Sequence, residues 1–176
     1  VADSILILYR LKQQPVVIVS PIFQHSPSVF ISLKKSNISS VYELNNKDIL
    51  FYPNDTDGFS LLAMIKKFDL DVNLVRERYK DDYMRLINNE VDVMPAYIAN
   101  EPFLFKEKGY DVNIINPTNY GFDMYGDMLF TNEDEAKNNP IRVEKFKEAT
   151  LKGWKYALEN KEEIIPRIIA TNKENT

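Results

Sequence analysis

The sequence predicts an α/β fold, two lobes with mainly parallel sheets flanked by helices, and three observations lead there. From residue 40 to residue 115, short runs rich in Val, Ile and Leu alternate with amphipathic helical stretches, the pattern of βα units in a sheet covered on both faces. Earlier, two extended runs are flanked by Pro15, Pro21 and Pro27 and separated by polar residues, with no Gly for a tight hairpin turn. That arrangement resembles a crossover between lobes. Finally, 44% hydrophobic residues suffice for a real core, and 27% charged residues fit a water-exposed surface.

Taken in order, Asp3 or Ser4 can cap a helix over residues 5–13, with Leu6, Tyr9 and Arg10 marking its turns. Extended runs follow at 16–23 and 28–33. A short helix at 40–44 precedes a strand at 49–52. The loop Pro53 to Gly58 leads into an amphipathic helix over 59–68. Then come strand 72–77, helix 81–88, strand 91–96, helix 100–108 and strand 112–115. Beyond Pro117 the texture changes to a loop of Tyr, Asn, Asp and Gly over 118–126, then a strand at 127–131. Asn139 and Pro140 form a cap followed by a first-turn proline. The helix to Glu159 collects Val143, Phe146, Ala149, Gly153, Trp154 and Ala157 on one side, and Trp154 reads as core. A last helix over 161–170 is expected to be disturbed by Pro166.

Composition removes several functions. The net charge of −4 and the lack of a basic block leave no nucleic-acid footprint. No cysteine is present, which excludes disulfides, thiolate metal sites and cysteine nucleophiles. No apolar run approaches the roughly 20 residues that span a bilayer, so this segment is not expected to insert directly. Neither a metal nor a cofactor is expected. The chain opens at Val1 without Met or a signal peptide, as an excised or processed piece would.

The most informative stretch runs from Leu86 to Phe103: a helix end, a turn, a buried strand, then an apex carrying Tyr97, Asn100 and Glu101 before another helix. Ligands of open α/β sheets sit beyond the carboxyl ends of the strands. A ring, an amide and a carboxylate there suit a small planar ligand that donates hydrogen bonds. The alternative is that Asn100 and Glu101 only cap the following helix, and the two roles can coexist. Asp57 and Gly58 open a helix, where N–H groups can hold a polar ligand and Gly58 permits close approach. The carboxylates of Asp55 and Asp57 would repel a phosphate, and capping is the plainer role of Asp57. Tyr120, Asp123, Tyr125 and Asp127 lie in the aromatic loop, where rings can stack on a planar ligand. A carboxylate pair for glycoside cleavage is the other reading of those Asp residues, and ordinary turns are plainer still. His25, the single histidine, is a poor metal or nucleophile site without Cys and reads better as a hinge residue beside Gln24.

The chain resembles the periplasmic type II solute-binding proteins, and most nearly the subgroup of thiamine-pyrimidine-precursor binders and synthases, related to sulfonate and taurine binders. The residues that carry this are Val1 to Ser4 with Leu8, Ile22 to Pro27, Ile38 to Leu44, Asn89 to Val93, Tyr97 with Asn100, Glu101 and Pro102, and Thr150 to Tyr156. Each motif alone is weak, but the ordered set covers most of the chain. The resemblance implies residues 36–116 as a second α/β lobe, with 1–35 and 117–176 supplying crossover strands and an incomplete first lobe. It implies that the family's opening units lie before Val1, with the ligand held by closure of the lobes. In the resembled pyrimidine binders a Glu at the place of Glu101 contacts the ligand, and the crossover holding Gln24, His25 and Ser26 contributes contacts. The resemblance thus implies an extracytoplasmic, non-catalytic domain for a polar, pyrimidine-like ligand. Its partner would be a membrane permease, or the signalling module of a sensor histidine kinase or diguanylate cyclase in the same polypeptide. The alternatives are an enzyme related to the pyrimidine synthases, whose cysteine-rich motif is missing, or a degenerate protein-interaction domain.

Overall fold

The computed structural model describes residues 3–51, 59–75 and 82–172. Contacts divide the chain into a larger unit of residues 1–14 and 21–128 and a smaller unit of 15–20 and 129–176. The larger unit opens with α1 (Asp3–Leu11), and β1 (Val16–Pro21) leads on to β2 (Ser28–Leu33). The βα series follows: β3 (Asp48–Leu50), α2 (Phe59–Lys67), β4 (Asn73–Val75), α3 (Asp82–Ile87), β5 (Met94–Tyr97), α4 (Glu101–Glu107) and β6 (Val112–Ile115).

β3 and β4 pair in parallel, and a parallel bridge between Ile49 and Val93 attaches β3 to the start of β5. β2 runs antiparallel to both β5 and β6, with Ser28 opposite Tyr97 and Phe30 opposite Ile115. The strands therefore lie in the order β4-β3-β5-β2-β6. Four are parallel to one another, and β2 is inserted against the grain. β2, read from sequence as a crossover strand of the 1–35 segment, hydrogen-bonds along both edges to strands of the 36–116 segment.

All six residues of β2 are buried, and their alternation feeds two cores. Phe30 joins Ile49, Val93 and Ile115 with Leu61 and Met64 of α2 on one face. Val29, Ile31 and Leu33 join Leu50, Met94, Leu86 of α3 and Phe105 of α4 on the other. A strand covered on both faces needs no polar positions. Of its two buried serines, Ser28 and Ser32, Ser32 donates to the Ile38 carbonyl at 2.5 Å, and Asn113 Nδ2 of β6 donates to the same oxygen at 3.0 Å. α2 buries Ser60, Leu61, Met64 and Ile65, one helical stripe.

In the smaller unit, β1 pairs with β7 (Met128–Asn132), and the Glu133 N–H donates to the Pro15 carbonyl at 2.8 Å. α5 (Glu133–Asn138), α6 (Pro140–Glu159) and α7 (Lys161–Asn172) complete it. α5 starts where the Asn132 side chain accepts the Glu135 N–H at 2.7 Å. Pro140 does begin α6, but Asn139 makes no side-chain cap to it and donates back to Glu135 instead. α7 continues through Pro166 rather than breaking there. The expected core role of Trp154 is corrected: its side chain is 43% exposed and Phe146 is 61% exposed. No residue of α6 or α7 is buried, so the apolar stripe of α6 gains no covering layer among the described residues. None of the helices is long and apolar enough to cross a membrane, among the residues described.

Candidate functional site

Because β3, β4, β5 and β6 are parallel and β2 runs the other way, one edge of the sheet gathers five connections, that after β4 lying outside the described residues. The loops after β3, β5 and β6 leave from it, and the segment before β2 arrives at it. The loop after β3 contains Asp57 and Gly58, which lie outside the described residues.

The segment before β2 and the loop after β6 are laced together within the larger unit. The Asp127 carbonyl accepts the N–H groups of Ile22 and Phe23 at 2.8 and 3.1 Å. The Gly126 N–H donates to the Phe23 carbonyl at 2.9 Å, and the Ser26 N–H donates to the Met124 carbonyl at 2.7 Å. His25 Nδ1 lies 2.8 Å from Asp123 Oδ1. Gly126 permits this approach, since a Cβ there would stand 2.8 Å from Phe23 Cβ and 3.0 Å from Pro27 Cδ. The sequence reading did not single out Gly126; its place at the end of the aromatic loop, one of two glycines there, was the available signal.

The β5 apex joins the same edge. The Ile98 N–H donates to the Pro27 carbonyl at 2.9 Å, and Ser28 faces Tyr97 in the ladder. Glu101 turns back on the strand end: Oε2 accepts the Tyr97 N–H at 2.6 Å, and Oε1 accepts from Asn100 Nδ2 at 3.2 Å. The Tyr97 carbonyl accepts the Asn100 N–H at 2.8 Å, closing the turn. A carboxylate at the first position of α4 also meets the positive end of the helix. The expected capping is corrected: Asn100 makes no side-chain cap bond, and the Glu101 carboxylate bonds the strand end and the Asn100 side chain rather than a helix amide, with further lone pairs on both oxygens.

The fold therefore collects Gln24, His25, Ser26 and Asp123 in one cluster, with Tyr97, Asn100 and Glu101 beside it across the Pro27 and Ser28 backbone. Tyr125 lies two residues after Asp123 in sequence and is 49% exposed. Tyr120 is directed elsewhere. Its hydroxyl accepts the Val41 N–H at 3.2 Å, and its ring meets Phe68 and Tyr42 edge-on at centroid distances of 5.8 and 6.5 Å. Chemically the collection is rich in acceptors and rings, and none of its members is Lys or Arg. Among the described residues no group of three His, Asp or Glu side chains could hold a metal ion.

A concavity of about 240 Å³ lies in the smaller unit against Val19, Phe130, Val143 and Phe146. None of the ligand-binding candidates read from sequence lines it; Val143 and Phe146 belong to the apolar side of α6. Arg142 at its margin forms a two-pronged pair with Glu135 at 2.6 Å for each bond. That pairing holds the Glu135 carboxyl below its ordinary value and raises Arg142. The guanidinium is thereby already matched to a carboxylate.

Comparison with known proteins agrees with this architecture. The periplasmic aliphatic sulphonate-binding protein SsuA of Escherichia coli superposes with a TM-score of 0.76 at 13% identity, over 92% of this chain and 56% of that one. The alkanesulfonate-binding protein SsuA of Xanthomonas axonopodis pv. citri, solved with MOPS, gives 0.70 at 14% identity, over 98% of this chain and 60% of that one. At such identities the likeness is one of fold, the α/β fold of periplasmic type II binding proteins. A formylaminopyrimidine-binding protein of Halalkalibacterium halodurans is 30% identical over 83 residues, 47% of this chain and 25% of its own length. The chain thus spans a quarter of that curated relative and a little over half of the solved ones. Residues 2–164 match the family model described as NMT1/THI5 like, and the chain belongs to that family.

Proposed function

We propose that this chain is the ligand-contacting portion of an extracytoplasmic, non-catalytic solute-binding protein for a polar, pyrimidine-like molecule of the thiamine-precursor type. One observation carries the reading. The sheet edge where ligands of α/β folds sit presents, among the described residues, Glu101, Asp123, Asn100 and the rings of Tyr97 and Tyr125, acceptors and stacking faces with no Lys or Arg between them. An aminopyrimidine offers amino donors and a flat ring to such a surface. A sulfonate would meet carboxylates there. The local identity to a formylaminopyrimidine-binding protein supports the same choice.

In this reading the segment 36–116 belongs to the second lobe of the binding fold, and 1–35 with 117–176 supply crossover strands and part of the first. Ligand capture shifts a conformational population, which is read out by a membrane permease or by a signalling module of the same polypeptide. Fold likeness to a periplasmic sulfonate-binding protein assigned to a sulfonate ABC transporter favours the permease.

The test is a thermal-shift and calorimetric screen of the full-length protein against hydroxymethyl-aminopyrimidine, its formylamino derivative, alkanesulfonates and amino acids. At a hundredfold excess over Kd, a bound ligand stabilises by about 2.7 kcal/mol, and the two pyrimidines are expected to do so. Stabilisation by sulfonates or amino acids with none by either pyrimidine overturns the reading.

A further inference from the structure

The contact between His25 and Asp123 has a chemical polarity. An ionised carboxylate can only accept hydrogen bonds, so the 2.8 Å contact to Asp123 Oδ1 requires the proton of the neutral imidazole on Nδ1. The opposite nitrogen, Nε2, is then a bare acceptor. The His25 side chain is 73% exposed, which leaves Nε2 open to a solute.

An isolated surface pair would be a weak guide to orientation. Here the two backbones are already bound on either side of it. The Ser26 N–H to Met124 carbonyl and Gly126 N–H to Phe23 carbonyl bonds, at 2.7 and 2.9 Å, hold residues 23–26 against 124–126. The close seat of Gly126 against Phe23 and Pro27 adds a steric stop. Few side-chain torsions remain to be ordered when the pair forms. Neither segment 22–27 nor segment 116–127 contains Lys or Arg, so no neighbouring cation in them competes for Asp123.

We propose that Asp123 is a positioning residue that fixes the tautomer of His25, and that His25 Nε2 acts as a polarity filter for the ligand. It accepts a hydrogen bond from an amino or hydroxyl donor and gives none to an anion. This rests on the aminopyrimidine reading and deepens it by naming a specificity-determining residue.

Imidazole 15N–1H spectra of the labelled full-length protein at pH 8 test the tautomer without any ligand, with His25→Gln identifying the His25 signals. The expected wild-type spectrum shows a proton on Nδ1 and none on Nε2. In Asp123→Ala the proton moves to Nε2, the form that free neutral histidine side chains prefer. Calorimetry then tests the filter. His25→Ala is expected to weaken hydroxymethyl-aminopyrimidine binding about tenfold and leave ethanesulfonate binding unchanged or stronger. Asp123→Ala should weaken the pyrimidine several-fold. A wild-type ring protonated on Nε2, or His25→Ala binding the pyrimidine within twofold of wild type, overturns the proposal. If the spectra are as expected but wild type binds no pyrimidine, the tautomer assignment stands, while the ligand reading and the filter fall together.

Discussion

Replacing Glu101 separates two jobs that its carboxylate can hold at once. The side chain accepts the Tyr97 N–H at 2.6 Å and the Asn100 amide at 3.2 Å, and its charge stands at the first residue of α4. Glu101→Ala removes the acceptor and the charge together. Loss of a capping or charge-assisted bond of this kind costs about 1–2 kcal/mol. Glu101→Gln keeps an oxygen that can accept the Tyr97 N–H and loses only the charge, a cost of about 0.5 kcal/mol at an exposed helix end. Urea unfolding of the two variants should therefore separate, with Gln close to wild type. Ligand affinity should order differently, because an amino donor loses the charge-assisted bond in both variants, about tenfold or more in Kd. Calorimetry with hydroxymethyl-aminopyrimidine reads that second ordering. Equal stability loss in both variants would refute the role given to the Tyr97 contact. Unchanged affinity in Glu101→Gln would remove the carboxylate from the ligand.

Three other perturbations bear on the scaffold. Gly126→Ala places a methyl 2.8 Å from Phe23 Cβ, so it should destabilise by about 1–3 kcal/mol, seen in denaturant melts; a neutral result would show that the 22–27 segment yields. Phe105→Ala empties a side chain that is 0% exposed beneath α4, at a cost of about 3–5 kcal/mol, and hydrogen exchange should quicken in α4 more than in α2. Glu43 accepts the Ser39 and Ser40 N–H groups at 2.6 and 2.9 Å, first Ser39 and then Ser40 holding its carboxyl below the ordinary value of 4.5. Its contribution to stability is present above that value and lost as pH falls through the lower folded-state value. Glu43→Gln should flatten the acid limb of a stability-against-pH curve below 4.5, and an unchanged limb would refute the assignment.

Local pattern made most elements legible. The run Ser28 to Leu33 reads as a strand and is one, and the boundaries of β6 and α6 agree with those drawn from the sequence. What local pattern does not carry is pairing between distant segments. β2 was readable as a strand, but its antiparallel place between β5 and β6 depends on residues far along the chain. α5 escaped because Glu133 to Asn138 has one apolar residue, Ala136, and is held by the Asn132 cap rather than by a buried stripe. Tyr120 was readable as an aromatic loop residue. Its engagement with Tyr42 and Phe68 needed the fold, as did the meeting of His25 with Asp123.

The inserted strand β2 also has a consequence for how this chain is made. It leaves the ribosome before the strands that flank it, as a run of apolar residues destined for burial on both faces. The segments that will cover its edges, Met94–Tyr97 and Val112–Ile115, are synthesised much later. Until then its backbone donors and acceptors can be borrowed by another nascent chain, as those of any uncovered apolar strand can. Folding of this sheet must wait for distant partners, which makes it slow. Protection of Ser28 to Leu33 by a holding chaperone, or continued extension of the chain, is thus the step on which the yield of native protein turns.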